Sequence, residues 1–118
     1  MQGKIMIYDP NFDQLRLNLL AEQCLIDKNI GGQVIFSAET YDSHIDHATP
    51  QFNDDDYASL KKSGFMLFLI ELLHSLSNYR TEHKRPNSKQ GIVHVNQSQL
   101  SIEWLSLEAV EKLRSSKN

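Results

Sequence analysis

The 118-residue chain is sparing with the residues that staple, bend or anchor a fold: one cysteine, three prolines and five glycines. A single thiol excludes an internal disulfide, and it cannot build a thiolate zinc site alone. Cys24 lies in an apolar helical pattern, which predicts a buried small hydrophobe and no nucleophile. Long apolar runs are also missing. The longest, Phe65 to Ile70, is followed directly by Glu71. A membrane span needs about 20 such residues. The opening MQGKIMIYDP breaks at Asp9-Pro10 before a signal-type apolar stretch develops. The expectation is a soluble, cytoplasmic protein with no membrane partner. Basic residues are no surplus either: 12 Lys and Arg stand against 15 Asp and Glu, a net charge of −3. Binding to duplex phosphates needs a concentrated positive surface, so nucleic acid is not the expected partner. Neither a G-x-G-x-x-G nor a G-x-x-x-x-G-K phosphate loop is present, and no G-x-S-x-G nucleophile elbow.

What is there fits one ordinary folded unit. The length is typical of a single domain, spanning 1–118, and 40% hydrophobic with 23% charged residues is a globular composition. Lys4-Ile5-Met6-Ile7-Tyr8 reads as a short strand. Asp9-Pro10 then reads as a helix start, with a carboxylate to cap and a proline that needs no N–H. The pattern predicts a helix over 10–28, with Phe12, Leu15, Leu19 and Ile26 as its stripe and Leu17, Leu20, Cys24 and Leu25 widening it. Gly31-Gly32 is read as its end. Val34-Ile35-Phe36 is a second strand, and 39–53 reads mostly as polar loop with room for a short strand near 41–45.

Asn53 and three aspartates open a second long helix over 55–81. Residues 91–95 and 100–104 flank a four-residue polar link and read as a hairpin. Ser106 caps a short last helix over 107–114. The order β-α-β-α-β-β-α predicts an α+β domain: a small sheet of about four strands, two long helices and a short C-terminal helix.

Three clusters hold candidate chemistry. The first is Asp42-Ser43-His44-Ile45-Asp46-His47. Asp and His are ligands for divalent metals, so Asp42, His44, Asp46 and His47 could hold zinc, nickel or copper. The run resembles the HxHxDH motif of metallo-β-lactamase-fold hydrolases, with Asp42 in place of the first His. Such a fold implies a longer chain and further ligands downstream, which 118 residues do not supply. The bland reading is a solvated loop.

The second is RTEHKRPNSK, residues 80–89, whose Arg80, Lys84 and Arg85 could bind an anion. It contains no aromatic residue for base stacking, and Glu82 dilutes its charge. The third, Glu71-Leu72-Leu73-His74, is half of a di-iron helix motif with no second copy, and reads as a polar helix face.

The strongest signal is apolar surplus. On the second long helix, Phe65, Met66, Leu69, Leu72, Leu73 and Leu76 share a core side at 100° per residue. Leu60, Gly64, Leu67 and Phe68 lie opposite. A helix apolar on both sides is expected to be covered on both sides, and in a small domain the second cover can be another subunit. The reading is therefore a non-catalytic cytoplasmic protein that works by protein–protein interaction as a homodimer, of the adaptor, inhibitor or immunity kind. Leu60, Gly64, Leu67 and Phe68 form its surface, and no cofactor is required. The alternative is a metal-binding protein or metal-dependent enzyme using the Asp42–His47 segment.

Overall fold

The computed structural model describes residues 7–26, 28–38 and 45–115. The elements are α1 (Phe12–Cys24), β1 (Gly31–Ala38), β2 (Ile45–Gln51), α2 (Asp54–Ser63), α3 (Phe65–Glu82), β3 (Gln90–Asn96), β4 (Gln99–Trp104) and α4 (Leu107–Ser115). The fold is α+β. Among the described residues, four strands form one antiparallel sheet in the order β2-β1-β3-β4. The strand expected over 4–8 falls mainly on residues outside the described ones; Ile7 and Tyr8 are described and lie in no strand.

Strand alternation divides the core in two. Val34 and Phe36 of β1, Val93 and Val95 of β3 and Leu100 of β4 join the main core beneath α1, α2 and α3. The intervening Ile35 and Ile92 point to the other face, where Val110 of α4 closes a small second cluster. α1 lies near β4, α3 near β2, and α4 on the far side against β1 and β3. Phe12 at the start of α1 stacks on Tyr79 near the end of α3, at 3.5 Å between ring centroids. Cys24 at the other end of α1 reaches Ser63, just before α3 begins. The two helices therefore run antiparallel.

Gly91 makes one cross-strand contact possible. It pairs with Phe36 on one side and Trp104 on the other. With no side chain between them, those two rings meet edge to face, 5.5 Å apart. A Cβ at Gly91 would sit 2.2 Å from the Glu103 carbonyl oxygen, so the position admits nothing larger.

Three expectations are corrected. First, the polar loop read over 39–53 contains a seven-residue strand, β2, because Ile45 and Ala48 pack into the core side of β1. Second, α1 begins at Phe12 and ends at Cys24. The Asp9 carboxylate accepts from the Asn11 N–H at 2.9 Å and forms a turn ahead of the helix. Gly31-Gly32 opens β1 and does not cap α1.

Third, the long helix expected over 55–81 is two helices. Gly64 adopts a left-handed conformation (φ 80°), and its N–H is taken by the Leu60 and Lys61 carbonyls. It ends α2 as a glycine C-cap and starts α3 in a new direction. α2 keeps its expected start: the Asn53 side chain accepts from the Asp56 N–H at 2.7 Å, with three aspartates in the first turn. The hairpin is as expected but tighter, turning on Gln97-Ser98 alone, with Gln97 at positive φ.

Candidate functional site

The break at Gly64 decides where the expected interaction surface goes. A helical wheel drawn across 55–81 loses its phase at a left-handed residue. Leu60, on α2, turns inward and is 0% exposed. It is a core residue and forms no part of the outer surface. Gly64 is the joint between the helices. Leu67 and Phe68, on the first turn of α3, face outward at 66% and 39% exposure. The opposite side of α3 behaves as its spacing predicts: Phe65, Leu69, Leu73 and Leu76 are fully buried, and Met66 and Leu72 pack against them.

α1 adds what the sequence did not assign to this surface. Its buried side is Leu17, Leu20, Ala21 and Cys24, at the i, i+3, i+4, i+7 spacing of a helix face. Of the stripe taken as its core, Leu15, Leu19 and Ile26 are exposed and only Phe12 packs partly against the core. The helix carries two apolar stripes, and periodicity alone cannot choose between them. The exposed stripe lies beside α3. Leu19 and Gln23 of α1 and Phe68 and Leu72 of α3 line a shallow open groove, with Arg16 on its α1 wall and Glu71 on its α3 wall. Leu15 continues the α1 wall one turn back from Leu19, and Leu67 lies one turn before Glu71 on α3. The outer surface of the α1/α3 layer is thus apolar at its centre and carries charges of opposite sign.

The groove ends at an aromatic and cationic cluster. The Arg16 guanidinium lies 3.5 Å above the Phe12 ring and donates to the Phe12 carbonyl. Phe12 stacks on Tyr79, and Tyr79 packs against Tyr8 and His83. Arg85 lies over Tyr8 at 4.4 Å.

Arg80 departs from its expected role. It is 8% exposed, at the inward side of the last turn of α3. Its guanidinium covers Trp104 at 4.7 Å and donates to the Tyr8 hydroxyl and the Pro86 carbonyl. It orders the loop that follows α3 and is not displayed to an anion. Lys84 and Arg85 are exposed. The aromatic residues missing from 80–89 are supplied from distant sequence, as Tyr8 and Trp104.

Trp104 also donates from Nε1 to Asp13 at 2.8 Å. Burial pushes the Asp13 carboxyl above its usual range, against the opposing pull of the Trp104 hydrogen bond and the Arg80 and Arg16 charges. Its other oxygen, Oδ1, is buried with no hydrogen-bond partner. Burial likewise raises the Cys24 thiol, which keeps it protonated and a poor nucleophile.

The metal expectation falls largely outside the described residues. Asp42 and His44 are not among them, and of Asp46 only the backbone is described, in β2. His47 is exposed on β2, opposite Ser37 of β1. Among the described residues no three His, Cys, Asp or Glu side chains come together as a ligand set. The hydrogen-bonded pair His94–Glu103, 3.2 Å apart on the α4 side of the sheet, is exposed.

Both edges of the sheet are obstructed. The bonds Leu105 N to Gln90 O and Ala38 N to Lys89 O set the alternation of the ladders. They leave Leu100, Ile102 and Trp104 directing their backbone groups outward from β4, and Ala48 and Pro50 from β2. Gln14 of α1 donates to the Leu100 carbonyl at 2.8 Å, and Pro50 has no N–H to offer. Such edges resist strand-to-strand association. No helix among the described residues is long and apolar enough to cross a membrane. No protein-family model matches the chain, and no curated protein or solved structure is significantly similar to it.

Proposed function

We propose that this chain is an interaction protein that self-associates through the outer face of the α1/α3 layer. The observation that supports this is the exposure of Leu19 and Phe68 at one groove, with Leu15 and Leu67 also exposed one turn before Leu19 and Glu71 on the same two helices. Scattered surface leucines are ordinary, but apolar side chains gathered on two adjacent helices mark an association surface. Covering them contributes about 25 cal/mol for each Å² of apolar surface removed from water. The sheet edges, obstructed by Gln14 and Pro50, favour a helix-mediated contact over β-augmentation.

The test compares wild type with Leu67→Asp and Phe68→Asp by light scattering after size exclusion. The reading expects a wild-type dimer and folded monomeric variants. A wild-type monomer at all accessible concentrations would remove it. Circular dichroism separates dissociation from unfolding, and unfolded variants would place this face in the core instead.

A further inference from the structure

We infer that the second copy sits across the groove on a two-fold axis, with Arg16 of each chain opposite Glu71 of the other. The inference rests on the self-association proposed above and adds its geometry. A two-fold interface is self-complementary, because each patch must meet its own image. The groove meets that condition with one charge of each sign. Arg16 stands on its α1 wall and Glu71 on its α3 wall, and both side chains are exposed. An axis passing between them exchanges their positions. Each arginine then faces a glutamate, and α1 of one copy lies along α3 of the other. The same rotation sets Leu19 of each chain against the Phe68 region of its partner.

Arg16 is well placed for this. Its stacking on Phe12 and its bond to the Phe12 carbonyl hold the guanidinium in place while leaving further N–H groups to donate. A copy translated without the two-fold would leave one arginine and one glutamate unmatched at each contact, and would continue into an open array.

The arrangement makes a prediction that simple apolar adhesion does not. Arg16→Glu carries two acidic groups at the groove and Glu71→Arg two basic ones. Each variant alone meets like charge at both pairs across its own two-fold, and its dimer is expected to dissociate about tenfold more readily than wild type. Mixed in equal amounts, the two variants regain both opposite-charge pairs and form a one-to-one heterodimer.

The measurement is sedimentation equilibrium of wild type, each variant and their mixture at low ionic strength. A size tag on one variant identifies the heterodimer. Weakened single variants and a restored mixed dimer support the two-fold pairing. If wild type and both variants dimerise equally, or the mixture gains nothing, the pairing is overturned while association through the face stands. If wild type is monomeric, the self-association reading itself fails.

Discussion

The two sides of the α1/α3 layer are both built from large apolar residues and meet different fates. Inward, Leu17, Leu20, Leu69 and Leu73 lie in the main core. Outward, Leu15, Leu19, Leu67 and Phe68 stand in solvent. Side-chain chemistry does not distinguish them; cover does. The sheet of this chain covers one side, and among the described residues no further element lies over the other. α4, the remaining helix, is on the far face of the sheet, where Val110 meets Ile35 and Ile92. The contrast teaches that these helices carry more apolar surface than the described residues cover, and that the uncovered part lies on the outer face of α1 and α3.

Substitutions can break the contrast from either side. The largest effect is expected inside. Leu69→Ala or Leu73→Ala removes a fully buried side chain and should cost about 2–5 kcal/mol, read by chemical denaturation. The joint between the helices comes next. Gly64→Ala forces a side chain into a left-handed residue and brings its Cβ to 3.1 Å from the Phe68 ring. The expected loss is about 1–2 kcal/mol in the same assay, and an unchanged midpoint would mean that α2 and α3 can merge into one helix.

Outside, Leu67→Ala should leave the stability of the isolated chain within about 0.5 kcal/mol, measured at concentrations where it is monomeric. A loss as large as that of Leu69→Ala would erase the distinction between the two sides.

The smallest effect concerns pH at the end of the groove. Burial raises the Asp13 carboxyl, so between its ordinary value and its folded value the native state binds more protons than the unfolded state. That contribution is complete below the ordinary carboxylate range and is lost as pH rises through the raised value. Asp13→Asn keeps an oxygen to accept from Trp104 and removes the charge. The variant should therefore be no less stable than wild type at neutral pH, and should lack that decline between acidic and neutral pH. Thermal melts across the range would show it; a neutral-pH loss would mean that attraction to Arg80 and Arg16 outweighs burial.

The sequence carried the fold class well because that rests on signals within single elements. Alternation in Val93 and Val95, the Asn53 cap and the glycine-free polar hairpin link each act locally, and β3, the start of α2 and the β3–β4 turn form where those signals put them. Signals needing two elements at once were hidden. Nothing within residues 12–26 says which of two apolar stripes meets the sheet, so the exposure of Leu15 and Leu19 leaves no mark in the sequence. Gly64 was visible, but an isolated glycine is tolerated within many helices, and only its left-handed backbone shows a break.

Pairings such as Tyr8 with Arg85, or Asp13 with Trp104, join residues about 77 and 91 positions apart and leave no local trace. Of the proposed interaction surface, Leu67 and Phe68 are legible from their own helix alone. Its other half, on α1, required knowing which side of that helix the sheet takes.

The most direct measurement is the molar mass of the wild-type chain by sedimentation equilibrium over a wide concentration range. A two-chain particle, twice 13.6 kDa, that dissociates on dilution is the predicted result. A particle that holds the mass of a single chain at every concentration would contradict the account, because the exposed leucines of α1 and α3 would then be stable in water without a second copy.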